Sequence, residues 1–167
     1  MSKEQISTWY STINDDGVID EISTSIIPTM ETLASELGSL TSDQQDEVAL
    51  QITSIANTLM ASKDRFMAST VVNQMITVFA NTSRSDEIIQ QVFGVIAEWS
   101  SDASASIREV VVDAVGQIAA NLSESGKITN PVYAGQIFTM FYNAVQDADS
   151  SVKNGASRIL GGIVEVF

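Results

Sequence analysis

An all-α fold of about four antiparallel helix pairs is what this sequence predicts, and three observations carry the prediction. Apolar residues recur at steps of three and four along most of the chain, and no useful length alternates as a strand would. Helix breakers are sparse, with 9 Gly and 2 Pro in 167 residues. The chain also resembles itself at a period in the low-to-mid forties, long enough for two helices and a turn. The clearest stripe is Ile107, Val110, Val111, Ala114, Val115, Ile118, Ala119 and Leu122, one continuous face of one helix. The many Ile and Val residues lower intrinsic helix propensity, a weak preference that periodicity and packing override.

Eight helices are expected, at about 2–12, 18–37, 42–61, 64–81, 86–100, 104–123, 131–146 and 150–166. Ser2 with Gln5 opens the first at capping-box spacing, where each side chain satisfies an orphan backbone N–H. Trp9 packs that helix down. Before the second helix, Asn14-Asp15-Asp16-Gly17 and then Asp20-Glu21 form the densest acidic cluster. Such oxygens suit Ca²⁺, but the alternating ligands and terminal Glu of an EF-hand loop are missing. A turn at Gly17 with acids in the first helical turn, favoured by the helix dipole, is the stronger reading.

Pro28 falls inside the second helix and is expected to kink or split it near Ile27, at about 3 kcal/mol if unaccommodated. Gly38 and Gly126 stand where a left-handed helix end is expected. Thr41 with Gln44 caps the third helix, and Asp43, Asp46 and Glu47 follow as helix-start acids, as Asp86-Glu87 do after Ser85. Trp99 is in phase with Val92 and Ile96 and reads as core. Asn130-Pro131 supplies a cap and then a proline at the first helical position. Phe138 and Phe141 follow the repeat into the core, while Tyr142 is a candidate for an exposed binding surface.

The repeat is the most informative feature. At a fixed offset of 45 residues, Ile88, Val92, Phe93 and Ile96 fall on Tyr133, Ile137, Phe138 and Phe141. Asp102 falls on Asp147, and Ile107-Arg108 on Val152-Lys153. Val111, Ala114, Val115, Gly116, Ile118 and Leu122 fall on Ala156, Ile159, Leu160, Gly161, Ile163 and Phe167. A helix, a turn and a second helix thus match without a gap. A weaker copy lies upstream at an offset of 43, where Arg65, Val71, Val72, Gln74 and Phe79 fall on Arg108, Ala114, Val115, Gln117 and Leu122.

The run Asp102-Ala-Ser-Ala-Ser-Ile107-Arg108, followed by Val111, Ala114, Val115 and Gly116, resembles the HEAT-repeat pattern. Asp147 to Lys153 has the same spacing. The resemblance is good over 86–167, partial over 42–82 and poor over 1–38. It implies a right-handed HEAT/armadillo-like α-solenoid, in which Asp102, Arg108, Asp147 and Lys153 belong to a polar ladder between neighbouring turns. Two departures matter: Lys153 cannot reproduce the bidentate fork of an arginine, and Leu59 stands where the Asp before Arg65 would be. On this reading residues 1–167 are a single helical domain, with a degenerate pair at 1–38 and repeat-like pairs at 42–82, 86–124 and 130–167. One pair cannot bury its stripe alone, whereas stacked pairs share a core. A closed multi-helix bundle is the alternative. The apolar ending Val166-Phe167 fits a truncated chain, self-association there, or a Phe167 folded back into the core.

Composition narrows the function. With no Cys and no His, thiol catalysis, disulfides, Cys/His zinc sites and His-based triads are excluded. No phosphate-binding glycine loop and no nucleophile elbow occur. No enzyme activity and no cofactor are expected. The net charge of −13 disfavours nucleic acid and anionic membranes as partners. It keeps the chain dissolved and favours a basic partner. No signal peptide or apolar stretch of about 18 residues is visible, so a cytoplasmic location is expected.

The expected function is a protein-protein interaction module or scaffold that binds another protein on a concave face. Thr70, Asp113 and Arg158, at equivalent places off the apolar stripe, and Gln74 and Gln117 are the candidate contacts. The rival is an acidic antagonist, an immunity protein or nucleic-acid mimic that blocks a basic site. Self-association through the C-terminal helix is a further expectation.

Overall fold

The structure, a computed structural model, describes residues 1–61, 64–80, 82–123 and 128–167. Gly126, expected at a helix end, lies outside them. The described residues form eight α-helices and no strand, so the chain is all-α. The helices are α1 Ser2–Thr12, α2 Asp16–Glu36, α3 Ser42–Ala61, α4 Arg65–Phe79, α5 Ser85–Ser100, α6 Ala105–Leu122, α7 Pro131–Val145 and α8 Ser150–Val166. A short 3-10 turn, Leu37–Ser39, follows α2.

The caps show why the helices start where they do. Thr41 N–H donates to Gln44 Oε1 at 2.9 Å, and Gln44 N–H donates back to Thr41 Oγ1 at 3.2 Å. That is the reciprocal box expected for α3. Asn130 accepts from Val132 N–H, with Pro131 at the first helical position of α7. The acidic cluster resolves as a helix start: Asp15 is the N-cap of α2 and accepts from Gly17 N–H at 2.9 Å.

Three local expectations need correction. Ser2 does not box with Gln5. Its N–H and Oγ–H both donate to the Glu36 carboxylate, at 3.1 and 2.6 Å, and Lys3 N–H also points there. A charged acceptor at a positive helix end outcompetes a neutral glutamine. Pro28 does not split α2, which runs unbroken through it. The ring sits on the exposed side, where water can satisfy the carbonyl that loses its donor. Gly38 is not left-handed: it lies in the right-handed 3-10 turn. The chain leaves α2 by tightening, and the Gln45 amide caps the freed carbonyls of Leu37 and Leu40.

The backbone contacts divide the chain into two compact units, Met1–Val92 and Phe93–Phe167, with the division inside α5. In the first unit, α1 and α2 pack as one pair and α3 and α4 as another. The pairs stack like on like, α1 on α3 and α2 on α4. Trp9, Ile22, Met30, Ile52, Leu59, Val72 and Phe79 are fully buried between them. Residues 1–38 therefore pack as a pair in the same manner as the pair that follows.

In the second unit α7 and α8 form a pair, and α6 lies against both, closest to α8. That close approach has a local cause. A Cβ on Gly116 would meet Ile159 Cγ2 at 2.9 Å, and one on Gly155 would meet Val112 Cγ1 at 3.3 Å. Glycine at both places lets the helix backbones approach as larger residues would not. Val112, Ala144, Val152 and Ala156 form the small-residue core beneath. Trp99 is buried here, as its phase required.

Candidate functional site

Arg108 makes four side-chain hydrogen bonds within the second unit. From α6 it forks onto Asp147, in the turn between α7 and α8, with Nε–Oδ2 at 2.9 Å and Nη2–Oδ1 at 3.2 Å. Its Nη1 donates to the backbone carbonyls of Asp102 and Ala103 at 2.8 and 3.1 Å. One guanidinium thus ties the turn before α6 to the turn before α8. Asp102 and Asp147 act alike in their turns, each accepting a backbone N–H two residues on, from Ser104 and Asp149. The hydrogen bond from Arg108 is the main reason that the Asp147 carboxyl titrates below the usual range, helped by the Asp149 N–H. Both side chains are mostly shielded, at 19 and 14% exposure.

Of the four ladder residues, three therefore meet. Lys153 is exposed on α8 and acts on Asp147 only through space. A second fork of the same kind lies in the first unit, where Arg84 holds Asp46 of α3 through Nε–Oδ1 at 3.1 Å and Nη2–Oδ2 at 2.8 Å. Sequence reading missed this one because Asp46 was read only as a helix-start acid. The sole signal was a spacing close to that between Arg108 and Asp147.

The candidate contact residues divide between the units. Thr70 and Gln74 stand one turn apart on α4, partly buried, with the Thr70 hydroxyl donating back to Phe66 O. In the second unit Asp113 and Gln117 are exposed one turn apart on α6. Arg158 of α8 lies 3.5 Å from Asp113 and 3.7 Å from Glu109. The structure thus brings Asp113 and Arg158 together across two helices at equivalent repeat positions.

No family model, no curated protein and no solved structure matches this chain. Among the described residues no group of three acids is arranged to hold a metal ion, and no helix is long and apolar enough to cross a membrane. A groove beside α7, lined by Phe93, Ala97, Pro131, Val132, Gly135 and Thr139 among others, has no titratable side chain in its wall.

The remaining surface feature was legible only in part. Phe138, expected in the core, is half exposed. Its repeat equivalent Phe93 is buried against Tyr133, with ring centroids 5.9 Å apart. On α7 the same phase faces outward instead. The Phe138 ring stacks on Tyr142 at 6.1 Å and meets Phe167 edge-on at 6.2 Å. Tyr142 is exposed, as its candidacy required, and Phe167 folds onto Phe138 at the surface rather than into the core.

Proposed function

We infer that the chain is an acidic HEAT-type α-solenoid that works as a non-enzymatic interaction module and binds another protein through its second helices. The single observation that carries this is the Arg108 fork. It ties the loops of successive helix pairs at the positions that the HEAT resemblance assigns to a polar ladder. Like-on-like stacking of pairs in the first unit supports the same reading. The exposed row Asp113, Gln117 and Arg158 is the proposed contact face in the second unit, and Thr70 and Gln74 its counterpart in the first. Fold type alone does not assign function, so the face itself must be tested.

Affinity capture with the intact chain, wild type against Asp113→Arg with Gln117→Arg, provides the test. Retention of one partner by wild type and its loss from the variant is expected. Equal retention by both contradicts the assigned face. A second reading, an acidic antagonist of a basic site, is motivated by the net charge of −13. Salt separates the two. Binding to a scaffold changes little between about 0.05 and 0.5 M salt, whereas binding by a charge mimic collapses.

A further inference from the structure

The second unit exposes an apolar face with a definable shape. On α7, Phe138, Tyr142 and Val145 lie at steps of four and three. On α8, Leu160, Val164 and Phe167 do the same. All six are between 46 and 63% exposed. The contact of Phe138 with Phe167 joins the two stripes into one surface. Three half-exposed rings, of about 150–250 Å² each when whole, and three aliphatic side chains make a patch of several hundred Å². With its rim, that approaches the ~800 Å² that each partner contributes to a standard interface.

The preceding copy of the repeat shows what kind of element covers such a face. Leu160, Gly161 and Val164 are the equivalents of Val115, Gly116 and Ala119. Val115 and Ala119 are buried, and Gly116 lies against Ile159 of α8. The face on α6 is thus closed by α8, a helix of its own kind. The same face on α8 is open. At Gly161 and Gly162 a Cβ would meet nothing, so another backbone can approach closely there.

Charge points to the same occupant. In a chain of net charge −13, not one charged residue occurs from Ile128 to Gln146, which includes all of α7. Arg158 is turned toward α6. The repulsion between two acidic copies is therefore weakest at this face.

We propose that a second copy of this chain covers the face, α8 against α8 in antiparallel register about a two-fold axis through Leu160 and Gly161. Such an isologous contact uses one patch twice and closes on itself. Antiparallel register sets Lys153, on the same side of α8 as Leu160 and Val164, toward the last turn of the second copy's α8. That turn is the negative end of a helix dipole. The Asp113, Gln117 and Arg158 row is not part of this face, so the inference stands or falls independently of partner capture.

Sedimentation of the intact chain from about 10 μM to 1 mM, at about 0.05 and 0.5 M NaCl, tests the proposal. Wild type should show a monomer–dimer equilibrium that strengthens with salt, because salt screens the overall repulsion. Val164→Glu should weaken dimerisation at least about tenfold. Its melting curve should keep the monomer's shape, since the side chain it replaces is exposed. Lys153→Glu should weaken it less, because it sets a negative charge against the negative end of the second copy's helix. A wild type that stays monomeric throughout overturns the proposal, as does a Val164→Glu variant that folds and dimerises like wild type. The first result leaves a different protein or a further stretch of chain as the occupant.

Discussion

Arg108 shows how much one side chain can organise. Its planar fork satisfies both oxygens of Asp147 while a third nitrogen reaches two backbone carbonyls. A lysine at this place would offer one point charge and lose that geometry. The pair also sets an acid limit on stability. Asp147 titrates below its ordinary range when folded, so its contribution is fully present above its unfolded pKa of about 4. It is lost as pH falls through the lower, folded pKa. Glu36, held by Ser2, behaves in the same direction. Urea midpoints of wild type and Asp147→Asn should therefore differ clearly at pH 7 and converge below about pH 4. A gap that stays constant across that range would mean that the ion pair is not what Asp147 contributes.

Among the elements, α6 and α8 make the closest pairing that can be attributed to single residues. Gly116→Ala adds a methyl where Ile159 Cγ2 would lie 2.9 Å away. Overpacking of this kind costs about 1–3 kcal/mol. The gain in helix propensity from glycine to alanine returns roughly 1 kcal/mol. The net expectation is a lower urea midpoint for Gly116→Ala. Gly161→Ala, its repeat equivalent with open space, should raise the midpoint of the monomer.

These same elements show what sequence could and could not tell. Helix positions were readable within a few residues, because apolar spacing and caps such as Thr41 with Gln44 are local signals. Ser2 was misassigned because its true partner, Glu36, is 34 residues away and no local pattern announces it. Phe138 was misplaced for a related reason. Spacing fixes which face of a helix a residue occupies, but not whether anything covers that face. Repeat logic gives Phe138 the place of the buried Phe93, yet Phe138 is half exposed on α7. The HEAT resemblance groups Arg108 and Asp147 in one ladder but sets Asp147 with Lys153, whereas the structure puts Asp147 on Arg108; the Arg84 fork lies outside the matched pattern.

For the molecule as a whole, the proposed solenoid has helix pairs that hide their apolar stripes against neighbours of the same kind. The acidic surface is then free to differ without cost to the fold. Asp113 and Arg158, both more than half exposed, illustrate this freedom. Exposed pairs of this sort contribute about 0–1 kcal/mol, so Asp113→Ala should change stability by no more than about 1 kcal/mol. Ile118 is the opposite case, fully buried in the stripe of α6. Ile118→Ala should cost about 2–5 kcal/mol through the cavity it leaves. Ile118→Asp, which buries an unpaired charge, should abolish the folded state. The most direct test of the shared-stripe claim is a set of circular-dichroism melts of wild type, Asp113→Ala and Ile118→Asp under one condition. The account predicts that Asp113→Ala melts with wild type and that Ile118→Asp shows no cooperative helical transition. Equal melting temperatures for Ile118→Asp and wild type would contradict it.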